Sequence, residues 1–595
     1  MNLVDLRFTE CAYFYKLKDG MTISEVDVRK MMREVTTGKP RHYLFDLCRV
    51  NDCKGTRFSL RVFKSRKDKP TFFERPKTGW GEQRIGYYLF VECGSYVAIM
   101  KRYATIPKVI AEKLNGIDYS TLMALETKTS SVFKKLSIQN LDGSDYAMRN
   151  KTYESLNLSK NISAIGVSRY YVRSVKGVNG NKQFALTLNA SRVNEFESGL
   201  TISDVCGWVK KKVDEIGALT GTPDTLLSAF AQPVSYSTTY TKLQPRSLLV
   251  FYGLIESLIE NDNVEFHKKA AVGASSVIDK KVVERYLNLI SRAFVNVHDV
   301  GGKYYVGKND EIEILVQKSG IRLVNKTWQN ITINGSEDGQ YDSDLQSLIN
   351  ANHQFNVYFT VPDIVYSNRT LFKDARLLTS IPQFIKLLNG KSQLDGLSFE
   401  KHKGRSPVGL SDWVSKSVFK IVEQVFMPQY DYFICDDCND EWADHIGIAT
   451  DKVSFFVSKH KTSHDSASDF QDVVGQALKN LGNMTPSRAQ LNEKAIEWAK
   501  KYQTSNINRF RSSKGTVKDA VDLWNNNLMS PNYEREMCLV VDFMEKSVFE
   551  RQLKDISNKV PVKNESELFQ RLWILSSFVN SCLEYGVKPV IYCKN

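Results

Sequence analysis

Long apolar runs are missing from this 595-residue chain. The most hydrophobic stretch, residues 247–259 (SLLVFYGLIESLI), falls short of the roughly 20 residues that a membrane-spanning helix needs, and it already holds Glu256. The opening residues, MNLVDLRFTE, offer neither a basic n-region nor an apolar h-region. No export signal is therefore expected, and a cytoplasmic location without a membrane partner follows as the working expectation. There is no GxxxxGK[ST] phosphate loop, because Gly301-Gly302-Lys303 lacks both the upstream glycine and the following hydroxyl. GxGxxG, HExxH and GxSxG are absent too, as are internal repeats and low-complexity tracts. These gaps argue against a P-loop ATPase, a dinucleotide enzyme of the usual pattern, a zincin and an α/β-hydrolase.

Ten cysteines are scattered through the sequence, several inside strand-like apolar runs, which suits reduced thiols better than a disulfide framework. Cys435-Asp436-Asp437-Cys438 is a lone CxxC. With His445, His460 or His464 it could begin a zinc site, but structural zinc normally uses a second recognisable ligand pair. Lysine and arginine number 81 against 67 acidic residues, a net charge of +14. That excess suits a nucleic-acid partner without proving one.

At roughly 100–200 residues per domain the length allows three or four domains, and 42% hydrophobic with 25% charged residues is an ordinary globular composition. The pattern predicts an α+β multidomain chain, divided into a β-rich mixed region (1–245, recognition or sensing), a middle α+β domain (246–404) and a C-terminal α/β domain (405–595). Hairpins are expected at residues 86–92 with 95–103, around Cys93–Gly94, and at 170–174 with 184–188. Helical patterns run over 247–260 and 278–294, strands over 312–316 and 320–324, and residues 390–410 read as a linker.

The last 190 residues are the most legible. A helix is predicted over 410–427, capped by Ser411, then strands at 432–435, 441–449 and 452–460, and then a helix capped by Ser468. Strand 537–543, helices from Glu545 and over 566–584, and strand 589–593 extend the sheet. With Thr450–Asp451 as the hairpin turn, Asp444 lies opposite Val457 and Trp442 opposite Lys459, so Asp444 sits diagonal to Lys459 on one face. A carboxylate beside a lysine suits metal-assisted phosphodiester hydrolysis, with hard oxygen ligands for Mg²⁺ (or Mn²⁺) and an ammonium group to orient water or neutralise charge. The plain alternative is a surface cross-strand ion pair worth at most ~1 kcal/mol.

Glu441-Trp-Ala-Asp444, Val457-Ser-Lys459, the turn at 462–468 and Gly475-Gln476-Ala477 together resemble a branch of the PD-(D/E)xK restriction-endonuclease-like nucleases found in prokaryotic defence proteins and helicase fusions. The resemblance covers about a third of the chain. It implies a restriction-endonuclease-like α/β domain, a Mg²⁺-dependent endonuclease, Asp444 as metal ligand, Lys459 as catalytic lysine and Gln476 as the supporting helix amide. Where the superfamily carries a second acid, this chain has Val457, so Glu441 or Glu423 must supply it. Lys461 shares the parity of Lys459 and is the alternative lysine. An antiphage effector acting on double-stranded DNA is the implied function, regulated by the N-terminal region or by a partner subunit such as an ATPase, with a homo-oligomer as a further expectation. The alternative is an inactive nuclease fold that binds nucleic acid or serves as a scaffold. The basic run 500–518 supplies Arg509, Arg511 and Lys514 as nucleic-acid contacts, joined by Lys461 and Lys479. A second basic, aromatic-rich run at 54–84 is a further candidate.

Overall fold

The computed structural model describes residues 2–36, 43–52, 54–68, 81–104, 106–107, 110–126, 130–141, 149–158, 162, 169–219, 226–251, 253–260, 264–269, 275–291, 295–307, 312–334, 343–361, 364–373, 381–404, 406–462, 466–558 and 560–595. Internal contacts divide the mixed α/β chain into two units, one of Met1–Ser159 with Arg169–Ala375, the other of Lys160–Ser168 with Arg376–Asn595. The expected division at 245/246 falls inside the first unit. The expected division at 404/405 falls inside the second, whose longer segment begins at Arg376.

The first unit is built from antiparallel pairs. Eleven strands between Phe8 and Leu200 share one sheet, and a six-stranded sheet and two four-stranded sheets follow. Both expected hairpins are present, with longer strands. Gly81–Cys93 pairs with Tyr96–Arg102, and because Cys93 lies opposite Tyr96 the turn is Gly94–Ser95, one residue later than expected. Gly94 takes φ +56°, a conformation that glycine adopts without steric cost. In the other hairpin Asn179 faces Lys182, leaving Gly180–Asn181 as the turn. The apolar run 247–260 is not one helix. Its first half joins strand Pro245–Val250, paired on both sides, and the helix is only Gly253–Glu260. Periodicity alone does not separate a short buried strand from a helix, and here the sheet decides.

In the second unit a six-stranded sheet holds the core. Its strands are β1 (Leu388–Gly390), β2 (Tyr432–Cys435), β3 (His445–Ile448), β4 (Lys452–Lys459), β5 (Glu534–Glu545) and β6 (Lys588–Lys594), in spatial order β1-β6-β5-β4-β3-β2. The first four in that order run parallel, and β4-β3-β2 is an antiparallel meander. Parallel strands are covered on both faces, which explains why β5 buries nine consecutive residues.

On one face lies helix α1 (Val418–Phe426), whose Val418, Val422 and Phe426 join Phe433, Phe456 and Val540. On the other, α2 (Ala467–Lys479) and α3 (Glu565–Glu584) cover Phe455, Val457, Leu539 and Val541, together with Trp442, Trp498 and Trp524. Each large side chain buried there contributes roughly 1.5–3 kcal/mol. Helix α1 is shorter than expected and is capped by Ser417, whose Oγ accepts from the Lys420 N–H. Residues 410–416 are drawn out of the helix because Trp413 packs against Phe419 and Tyr502. Ser466, rather than Ser468, stands at the N-cap of α2.

Candidate active site

The β3–β4 hairpin sets the geometry. His445 pairs with Phe456 and Ile448 with Val453, and Ala449 N–H bonds to the Lys452 carbonyl, so Thr450–Asp451 is the turn. Asp444 then falls opposite Val457, and its N–H donates to the Phe456 carbonyl. Its carboxylate turns back over β4 and accepts from the Ser458 N–H at 2.6 Å. Regular pairing ends at His445, so Trp442 lies in a loop and fills the core rather than facing Lys459 across the sheet.

That loop, residues 436–444, explains how a second acid arrives without an acidic residue at 457. Freed from strand alternation, Asp437, Glu441 and Asp444 place ligand oxygens within 4.8 Å of one another, the one such group of metal-ligand side chains among the described residues. The loop is braced from beneath. Asp436 is fully buried and accepts from the Trp442 N–H (2.7 Å) and the Trp498 indole (2.6 Å), with the Lys494 ammonium 2.6 Å away.

Glu441 accepts from the Gln476 side-chain amide at 2.8 Å, and the Lys479 ammonium stands 3.6 Å off. Helix α2 thus presents both residues, one turn apart, to the same carboxylate. Lys459, at the end of β4, pairs with Glu400 at 3.3 Å. Next to Glu400, Lys401 reaches Asp437 at 2.6 Å. Burial opposes its charge, but Asp437 and Asp444 outweigh that and hold the ammonium pKa above its ordinary value. Asp444 is only 3% exposed. Burial pushes its carboxyl well above the usual range, Asp437 and Glu400 add to the shift, and Lys401 and the Ser458 N–H oppose it. The three carboxylates could hold a metal ion, with the Lys401 ammonium already beside Asp437 and that of Lys479 beside Glu441.

Three expected residues, Asp444, Glu441 and Gln476, therefore come together, whereas Lys459 pairs with Glu400 rather than with Asp444. Glu423 does not join them. It accepts from the Trp413 indole (2.6 Å) and twice from Arg511 (2.7 Å each), with His445 at 3.4 Å. These contacts overcome burial and hold it at about 2. Arg511 is consequently engaged with Glu423 and Asp412. Arg509 is 6% exposed and donates to the Cys435 and Asp437 carbonyls, bracing the acidic loop. Neither guanidinium is presented to an external phosphate, whereas Lys514 and Lys479 are exposed. Lys461 pairs with Asp469 and Asp472 on α2.

The CxxC does not gather zinc ligands among the described residues. Cys435 is buried on β2, Cys438 faces Lys494 at 3.6 Å, His445 stacks on Phe433, and His460 bonds to Asp542 at 2.5 Å. His464 lies outside the described residues, as does much of the basic run 54–84. Within that run, Arg57 pairs with Glu92, Arg61 with Asp46, and Phe58 and Phe63 are core.

Sequence reasoning missed Asp437, which was read only as a spacer in the CxxC. It also missed Glu400 and Lys401, hidden in the stretch read as a linker. A charged pair directly after Phe399 is the one signal available there.

Comparison with protein-family models, curated proteins and solved structures finds no match to this chain.

Proposed function

We propose that the second unit is a metal-dependent nuclease that hydrolyses phosphodiester bonds, with DNA as its substrate. The observation that carries this reading is the convergence of three carboxylates, Asp437, Glu441 and Asp444, at the end of the strand that delivers Lys459. Asp444, Glu441 and Asp437 would hold the ion, which when bound polarises a scissile phosphate and acidifies water. Gln476 keeps Glu441 turned toward its neighbours. Lys459, paired with Glu400 in the resting chain, would orient the attacking water or neutralise charge on the phosphate once Glu400 gives way. The larger first unit would then recognise a substrate or trigger, in keeping with a regulated defence effector.

A second reading is a nuclease-like domain without chemistry, which binds nucleic acid or acts as a scaffold. It is favoured by Lys401, whose ammonium already supplies positive charge to the acidic group. Plasmid degradation by the full chain, with Mg²⁺ against EDTA and with wild type against Lys459→Ala, separates the two. Cleavage that needs both metal and lysine, with DNA binding retained in the variant, supports the enzyme. Binding without cleavage under every divalent metal tried supports the scaffold.

A further inference from the structure

In the first unit, strand Arg192–Leu200 carries an irregularity that its neighbours do not require. Thr9 faces Ser198 but Cys11 faces Asn194, so three residues, Glu195 to Glu197, oppose the single Glu10. A bulge re-aims side chains. Glu195 turns inward, where it accepts from the Trp208 indole at 2.9 Å and pairs with the buried Lys212. Phe196 turns outward. It is 46% exposed, and its backbone sits at φ +64°, with its N–H fixed on Asn194 Oδ1 at 2.8 Å. A bulky residue in the left-handed region is strained, and glycine or asparagine would fill the same position at lower cost. Directing Glu195 inward therefore explains the bulge but not the phenylalanine.

The ring is part of the lining of an open groove of about 570 Å³ on the face of strands Val132–Asn140, Tyr170–Asn179 and Lys182–Thr187. Lys134, Lys135, Lys176 and Gln183 line the same groove, with a single carboxylate, Glu154, among them. The Lys176 ammonium stands 5.5 Å from the Phe196 ring centroid. Lys134 and Lys176 are exposed, and Lys135 pairs with Glu154 on the adjoining strand.

We propose that this groove binds single-stranded nucleic acid, with a base stacked on Phe196 and the backbone phosphates met by Lys134, Lys135 and Lys176. An exposed ring among cations matches the alternation of flat base and charged phosphate in a single strand. A duplex keeps its base faces stacked inside, where Phe196 cannot reach them. The proposal rests on none of the residues of the proposed nuclease centre.

Fluorescence anisotropy of the full chain tests it, in EDTA throughout so that no cleavage enters, with labelled dT and rU oligonucleotides and a duplex of matched length. Single strands are expected to bind more tightly than the duplex, and the dT and rU arms identify the sugar preferred. Phe196→Gly suits the positive φ and so is expected to keep the fold while weakening binding about tenfold to a hundredfold. Phe196→Trp is expected to retain binding. Lys134→Ala with Lys176→Ala is expected to flatten the logarithmic salt dependence by about 1.4, at ~0.7 per lost phosphate contact on a single strand. Absence of single-strand binding, preference for the duplex, or unchanged affinity in Phe196→Gly overturns the proposal.

Discussion

The side-chain amide of Gln476 donates to Glu441 at 2.8 Å, joining a helix to a loop 35 residues earlier in the chain. That bond orients the carboxylate that strand alternation would have turned away from Asp444, and with Asp437 it gives the site its oxygen-rich character.

Asp444→Asn separates metal binding from folding. Burial makes the ionised carboxylate unfavourable in the metal-free chain, and the amide oxygen still accepts from Ser458. The variant is expected to melt at or above the wild-type temperature in EDTA. Mn²⁺ should raise the melting temperature of the wild type, by about 2.7 kcal/mol of stability at a hundred times Kd, and leave the variant unmoved. Differential scanning fluorimetry reads both; a wild type indifferent to Mg²⁺ and Mn²⁺ would falsify the metal assignment.

Glu423→Gln is expected to lower stability at neutral pH by about 3 kcal/mol, the linkage value of a carboxyl held near 2 instead of 4.5. The folded pKa is depressed, so this contribution is fully present above the unfolded value of about 4.5 and fades as pH falls toward 2. Wild type and variant should therefore converge in denaturant midpoint across that window. A gap that stays constant from neutral pH down to pH 2 counts against the assignment.

Lys494→Met leaves the Asp436 charge buried beneath the loop without its cation, and a loss of about 3–5 kcal/mol is expected. Adding Asp436→Asn should recover part of it, so the two losses are not additive. Denaturation followed by tryptophan fluorescence measures the cycle, since Trp442 and Trp498 border the pair.

Gly447→Ala tests packing at the hairpin. A Cβ there would come within 2.7 Å of the Tyr430 ring, which is itself tied to Ser454 by a 2.8 Å hydrogen bond. Overpacking of this kind costs roughly 1–3 kcal/mol. Retained wild-type stability would mean that Tyr430 moves freely.

Much of the second unit was legible because its strands are short, apolar and separated by turn residues. Strand Tyr432–Cys435 stands where the pattern puts it, and the Thr450–Asp451 turn carries the register that aligns Asp444 with Val457. What escaped the sequence depends on tertiary contacts. Ser411 and Ser417 are equally good caps locally, and the packing of Trp413 chooses the second. Glu400 and Lys401 have no periodic signal, because they act from an irregular segment held by the pairing of Phe399 with Ser417. Asp437 escaped because nothing in the CxxC marks it, and Glu441 could be named only as one of two candidates, because the expected strand, continued back to 441, imposes an alternation that the loop abandons at Asp444.

Asp436 and Asp437 are successive residues with opposite allegiances, one clasped by two tryptophans and a lysine, the other handed to the acidic pocket. The pocket's carboxylates accordingly inherit the stiffness of the aromatic interior below them. Were the proposed ion to arrive there, it would meet carboxylates already gathered by the fold, and less ordering entropy would have to be supplied at each encounter.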